Sequence, residues 1–200
     1  MHVDTDWIIE TFKARRGRST GRGDHDLNPG MTPPEKLTPA AVLIPLVARE
    51  DGVTLLLTQR TDHLANHPGQ VSFPGGHVDP GDGSPEETAL RETEEEVGLD
   101  RQHIKIIGRL ADYWTRTGFS VVPVVGVVTP PFEIEPDPHE VAEVFEVPMD
   151  FLMDPANHER RSREYKGAVR QFYAMPYNGH YIWGATAGML VDLYDVLLGE

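Results

Sequence analysis

Six glutamates and one arginine occupy the eleven residues Glu86–Glu96 (EETALRETEEE). Charges of one sign at that density repel one another along a helix. At about 100° per residue, Glu96 falls about 40° to one side of Glu92 and Glu95 about 60° to the other, so the three share one arc roughly 100° wide. Ala89, Leu90, Thr93 and Val97 form the neighbouring buried stripe, and Glu94 points away. Three carboxylates beside a buried face are costly unless a cation sits among them. Oxygen-only ligands suit Mg²⁺ or Mn²⁺, and Mg²⁺ usually shares its shell with water and substrate phosphates. The other reading is a solvated Glu-rich helix with ordinary arginine pairs. The preceding loop, Gln70–Asp79 (QVSFPGGHVD), weighs toward the metal. Its paired glycines, Gly75 and Gly76, allow sharp bends and close approach by a ligand or metal. Asp79 and Asp82 bring two more carboxylates to the same approach.

These residues need elements to hold them. Ser84-Pro85-Glu86-Glu87 is a helix start, with Ser as N-cap and Pro at the first position, and Gly98 fits the end of a helix running to about Val97. Ala40–Arg49 and Val53–Arg60 are β-rich runs joined at Asp51-Gly52, a hairpin signal. A short strand is expected at Gln70–Phe73, with further strands over 103–112, 119–129 and Val141–Val147 and a helical turn at Met149–Met153. Phe172–Tyr177 and His180–Trp183 flank Asn178-Gly179, a second hairpin. A helix from about Gly184 to Leu198 closes the chain. At the other end, residues 3–16 read as a short amphipathic helix with Val3, Trp7, Ile8 and Phe12 on one side. Residues 17–39, rich in Gly and Pro, read as an extended or poorly ordered arm. The division is 1–37 for helix and arm and 38–200 for the main domain. Strands and helices mix without strict alternation, so the fold class is α+β.

With 200 residues, the chain is long enough for one substantial core. It has no cysteine, which excludes disulfide scaffolding, thiolate catalysis, Fe–S clusters and zinc–thiolate sites. The longest apolar runs are far short of a membrane-crossing helix. The N-terminus has no signal-peptide pattern, so a cytoplasmic location is expected. The net charge of −14 disfavours nucleic acid and anionic membranes as partners. The cations are uneven, however. Lys13, Arg15, Arg16, Arg18 and Arg22 form one group, and Arg160, Arg161, Arg163, Lys166 and Arg170 form another. They are either solvated surface or a local site for an anionic group.

The stretch Gly76–Leu99 resembles the Nudix box, G-x5-E-x7-R-E-U-x-E-E-x-G-U with U apolar. Gly76, Arg91, Glu92, Glu95, Glu96, Gly98 and Leu99 match. The middle acid is Asp82, the spacing to Arg91 is one residue longer, and Thr93 takes an apolar position. Over roughly residues 38–198 the chain is similar to the coenzyme A pyrophosphatase branch. Three segments carry that likeness: Leu56–Arg60 (LLTQR), Gly69–Gly76 (GQVSFPGG) and Tyr181–Thr186 (YIWGAT). It departs from that branch at Thr61-Asp62 and at Ala65.

The resemblance implies an α/β/α sandwich with a mixed sheet and the box as loop–helix–loop. It implies hydrolysis of a nucleoside diphosphate linked to another moiety. For this branch the substrate is coenzyme A or a derivative, giving 4′-phosphopantetheine and adenosine 3′,5′-bisphosphate. Other readings are a Nudix pyrophosphatase for ADP-ribose or nucleotide sugars, or a non-catalytic nucleotide-binding module. Glu92 and Glu96 are the implied main metal ligands, Glu95 a further ligand or water-orienting acid, and a Gly75 or Gly76 carbonyl completes the shell. Arg91 is better placed to brace the acids than to bind substrate. The general base is expected outside the box, at Glu140 or then Glu143, both of which also read as surface acids. Gln59 and Arg60 are candidates for substrate contact, with Gly75 and Phe73 in the adjoining loop. His63, His67 and His77 read as local hydrogen-bonding groups. Tyr113 and Trp114 are either stacking residues for a base or packing residues. A homodimer through the N-terminal helix stays open.

Overall fold

Alternating apolar residues on three long strands build a sheet with two dry faces. The computed structural model describes residues 4–32, 34–64, 67–165 and 167–199. Val3 and Ala65, singled out in the sequence, lie outside the described residues, as does Lys166 of the second cationic group. The elements in chain order are α1 (Thr5–Arg15), β1 (Arg22–Gly23), β2 (Thr38–Arg49), β3 (Gly52–Arg60), β4 (Val71–Ser72), β5 (Gly75–His77) and α2 (Pro85–Val97). They continue with β6 (Ile104–Arg109), β7 (Tyr113–Trp114), β8 (Phe119–Val128), β9 (Val141–Pro148), α3 (Met149–Leu152), β10 (Glu159–Tyr165), β11 (Ala168–Tyr177), β12 (His180–Trp183) and α4 (Ala185–Leu197).

The β2–β3 hairpin pairs antiparallel from Leu46↔Leu55 to Arg49↔Gly52. β2 also runs parallel to β8 over ten residue pairs, Thr38↔Phe119 to Val47↔Val128, so the sheet is mixed. On its other edge, the first half of β2 pairs with β5, Ala40↔His77 to Val42↔Gly75. That pairing fixes the glycine loop against the sheet. β9 joins the far side of β3, and β6 joins β8.

Because side chains alternate across a strand, Ile44, Leu46, Leu55, Leu57, Val125 and Val127 enter one core with α1 and α4. Leu43, Val47, Leu56, Val124 and Val128 enter the other, against Ala89 and Val97 of α2. Helices therefore cover both faces, as an α/β/α sandwich requires. The hairpin expected around Asn178-Gly179 is present as β11–β12. A third strand, β10, pairs along seven residues of β11 and was not expected, because its sequence, ERRSREY, has no apolar alternation. Its backbone is ordered by the neighbouring strand rather than by burial. Among the described residues no helix is long and apolar enough to cross a membrane.

The N-terminal helix is part of the packing. Asp4 caps it by accepting from the Trp7 N–H at 2.8 Å, and Ile8 and Phe12 are fully buried in the core shared with α4. The following arm is pinned by polar contacts. Arg22 N–H donates to the Asp112 carbonyl at 3.2 Å, and Tyr113 O–H donates to Asp24 at 3.0 Å. Asn28 bonds the Gln171 backbone twice, at 3.0 and 2.9 Å. Glycine and proline content signals an irregular path, but irregular backbone can still be fully bonded.

Candidate active site

The helix that carries the acids starts and stops as its sequence dictates. Ser84 accepts from the Glu87 N–H at 3.3 Å, and Gly98 ends the helix in the left-handed region at φ 67°. Thr88, Ala89, Thr93 and Val97 face the core, which turns Glu92 and Glu96 toward the glycine loop. Thr93 stands at an apolar position of the box without penalty, because its hydroxyl donates to the Ala89 carbonyl at 2.6 Å within the helix.

Glu96 is 5% exposed, and its Oε2 accepts the Gly75 N–H at 3.1 Å. Its other oxygen lies 3.7 Å from an Arg60 nitrogen. Gly75 sits at φ 153°, and a Cβ there would stand 2.6 Å from Val42 Cα. At Gly76 a Cβ would stand 2.5 Å from the Glu92 carboxyl carbon. Gly75 is thus needed for the loop to lie against β2, and Gly76 for the Glu92 carboxylate to sit against the loop.

Arg91 ties the acids together. It donates to Asp82 through two nitrogens (3.1 and 3.0 Å), to Glu92 at 2.8 Å and to Glu95 at 2.9 Å. A fifth bond reaches the His77 carbonyl at 3.1 Å. Asp82 also accepts from Thr88 at 2.8 Å and from its own loop at the Asp79 N–H. The Arg91 bonds hold the Asp82 carboxyl well below the usual carboxylate range. Glu94, on the far side, is paired with Arg101 instead, at 2.8 Å.

The electrostatics of the remaining acids run the other way. Burial pushes the Glu96 carboxyl up to about 7, against the Gly75 N–H and Arg60, and like charge on Glu92 and Glu140 pushes it further. Burial also raises Glu92, against its Arg91 bonds, and Glu95 and Glu140 add repulsion. Glu92 and Glu96 are therefore an all-oxygen pair that repel each other, with the charge of Glu140 acting on both. That donor set fits a hard divalent cation, which would reverse the sign of the local field. Among the described residues no three such groups already close into a metal cage.

The two base candidates part company. Glu140 is exposed, its backbone carbonyl accepts the Thr61 N–H at 3.0 Å, and its charge acts on both Glu92 and Glu96. Glu143 pairs with Gln59 across β9 and β3, and its carboxylate lies 3.2 Å from His180 Nε2. The His180 ring stacks on Phe145.

Beside the glycine loop lies a cavity of 340 Å³. Arg60, Phe73, Gly75 and Gly76 line it, whereas Gln59 does not. The Arg60 Nε is buried and has no hydrogen-bond partner among the described residues. His67 bonds Gln70 at 2.8 Å, and His77 meets Phe119 edge-on, while His63 stays at the surface. Tyr113 is buried and Trp114 stacks on His25; neither borders this cavity. The aromatic walls are Phe119, Tyr165, Phe172 and Trp183. Tyr165 and Trp183 are not legible as wall residues from the sequence, because they lie more than sixty residues beyond the end of the box. The signal that pointed their way was the cationic group at 160–170.

The pattern of the NUDIX domain matches residues 37–167. The chain is 39% identical over 165 residues to a protein of Photorhabdus laumondii described as an uncharacterized Nudix hydrolase, NudL, covering 80% of this chain and 88% of that protein. A protein of the same description from Enterobacter sp. is 42% identical over 154 residues, 77% of this chain and 80% of the relative. Among solved structures, a Nudix hydrolase of M. smegmatis, RenU, superposes with a TM-score of 0.50 at 24% identity, over 58% of this chain and 74% of that one. That last likeness is one of fold.

Proposed function

The chain belongs to the NUDIX domain family and is a Nudix diphosphatase, and from that premise we propose that its substrate is coenzyme A or a derivative, cleaved at the diphosphate. The products are 4′-phosphopantetheine and adenosine 3′,5′-bisphosphate. One observation carries the choice of substrate. The third segment similar to the coenzyme A branch lies about a hundred residues beyond the first two, yet Arg60, Gln70, Phe73, Gly75, Gly184 and Thr186 from the three line a single cavity.

Mg²⁺ or Mn²⁺, when bound, polarises a phosphoryl oxygen and lowers the pKa of water. Glu92 and Glu96 would hold it, with Glu95 and the Gly76 carbonyl in support. Arg91 keeps the acids in place through its bonds to Asp82, Glu92 and Glu95. Arg60 presents its guanidinium to the anionic diphosphate from the cavity wall. Glu140 accepts the proton of the attacking water.

The test is product analysis on purified protein. With Mg²⁺ or Mn²⁺ it releases adenosine 3′,5′-bisphosphate from coenzyme A, and Glu96→Gln lowers kcat by about two orders of magnitude or more. Faster turnover of ADP-ribose than of coenzyme A would reject this substrate. Binding of nucleotide with no metal-dependent turnover would reject catalysis.

A further inference from the structure

Arg163 of β10 and Arg170 of β11 stand directly opposite each other in the antiparallel register. Like charges in that position destabilise a strand pair. Their neighbours do not neutralise them. Arg161 on the same strand bonds Glu159, but among the described residues neither Arg163 nor Arg170 forms an ion pair, and the Arg170 Nε is buried without a partner. Strand alternation puts Arg163, Tyr165, Arg170, Phe172 and Trp183 on one face of this small sheet, and all five line the 340 Å³ cavity.

The Arg163 guanidinium, like that of Arg116 on the same wall, lies over aromatic rings rather than against carboxylates. Arg163 lies 5.4 Å from the Trp183 ring centroid, and Arg116 lies 4.3 Å from that of Tyr165. Such stacking holds the plane while its edge N–H groups stay free to donate. Asp24, the acid on this part of the wall, is already engaged. It accepts from Tyr113 O–H and from the Arg116 N–H at 2.8 Å. On a protein of net charge −14 this is a cationic pole, and the same cavity reaches Gly75 and Gly76 beside the box acids.

We propose that Arg163 and Arg170 bind a second phosphoryl group of the substrate, a phosphomonoester on the ribose, remote from the diphosphate that is cleaved. The inference rests on the coenzyme A reading above and adds its specificity site. A paired guanidinium set matches the charge and the forked geometry of a phosphomonoester dianion. The rings of Trp183 and Tyr165 give the attached base an apolar face. Diphosphate compounds without that phosphate leave the arginine pair unneutralised, so the site discriminates against them.

Two measurements test this. Kinetics compare coenzyme A with 3′-dephospho-coenzyme A for the full chain and for Arg163→Gln/Arg170→Gln. Calorimetry without metal compares adenosine 3′,5′-bisphosphate, adenosine 5′-monophosphate and inorganic phosphate. The full chain should favour coenzyme A in kcat/KM, and the double variant should lose about tenfold or more of that preference, the scale of a lost charged hydrogen bond. Arg160→Gln/Arg161→Gln, on the same strand but off the cavity wall, should keep the preference and controls for folding of the hairpin. The bisphosphate should bind more tightly than the monophosphate, and only in protein with the arginine pair. Equal loss on both substrates, an unchanged preference, or phosphate binding as tight as the bisphosphate overturns the subsite. If neither coenzyme A form is hydrolysed but the bisphosphate still binds through the pair, the substrate reading fails and the subsite stands.

Discussion

Asp82 and Arg91 are joined by two hydrogen bonds nine residues apart, Nε to Oδ1 at 3.1 Å and Nη2 to Oδ2 at 3.0 Å. The fork lets an aspartate, placed one residue further from the arginine than the usual box acid, do the bracing, because the loop brings it to the guanidinium face to face. Asp82 is held ionised in the folded chain, with its carboxyl well below the usual range. A carboxyl depressed by folding stabilises the protein above its unfolded pKa of about 3.9, and that stabilisation is lost as pH falls through the folded value. Asp82→Asn should therefore lower Tm by a constant amount at pH values above about 5, and the gap should narrow below about 4. Thermal melts across pH measure it. A gap that widens in acid would mean that the pair contributes nothing through ionisation.

The two loop glycines should respond differently to alanine. At Gly76 the added methyl meets the Glu92 carboxylate, the far end of a flexible side chain, at 2.5 Å. The fold should survive while kcat falls, because Glu92 is displaced from the site. At Gly75 the methyl meets backbone, Val42 Cα at 2.6 Å, at a φ of 153°. That substitution should cost on the order of 1–3 kcal/mol of stability. Urea denaturation and steady-state kinetics on both variants separate the two effects.

Phe12 is fully buried, as is Ile8, in the core that α1 shares with α4. Phe12→Ala should cost about 3–5 kcal/mol, the range for deleting a buried aromatic side chain. A surface helix would lose far less. The Arg15 side chain adds a polar tie by donating to the Leu197 carbonyl at 3.3 Å. Equilibrium unfolding followed by fluorescence of the three tryptophans reads the difference.

How much of this was visible in the residues alone follows from range. The α2 helix was legible at both ends, because Ser84 and Gly98 act within one turn of themselves. So were the β2–β3 and β11–β12 hairpins, whose turns Asp51-Gly52 and Asn178-Gly179 are local. The arc shared by Glu92, Glu95 and Glu96 is likewise a property of one helix, and so is the distance of Glu94 from it. Partners set by the sheet were not legible. Pairing of β5 with β2 brings the Gly75 N–H to Glu96, twenty-one residues away. β10 has no apolar alternation to announce a strand, and only its register with β11 sets Arg163 against Arg170. The arm was legible as irregular, but its bonds from Asp24 and Asn28 depend on segments more than eighty residues distant.

The general base is the sharpest choice among the acids outside the box. Glu140 acts on both Glu92 and Glu96 through its charge, whereas Glu143 is turned toward His180 at 3.2 Å. A group that takes a proton from the attacking water must lie within one hydrogen bond, or one water, of it. Glu140 is the candidate whose charge is felt by Glu92 and Glu96, the acids proposed to hold the metal, and Glu143 is not among the groups acting on them. Glu140→Gln should lower kcat by about 10²–10⁴-fold and flatten the acidic limb of the kcat profile. Glu143→Gln should keep that limb and change kcat by less than about tenfold, since it alters only the contact of an exposed carboxylate with the half-buried His180. Parallel pH–rate profiles on the two variants decide between them. An unaltered acidic limb in Glu140→Gln, with the loss appearing in Glu143→Gln, would move the role to the residue beside His180.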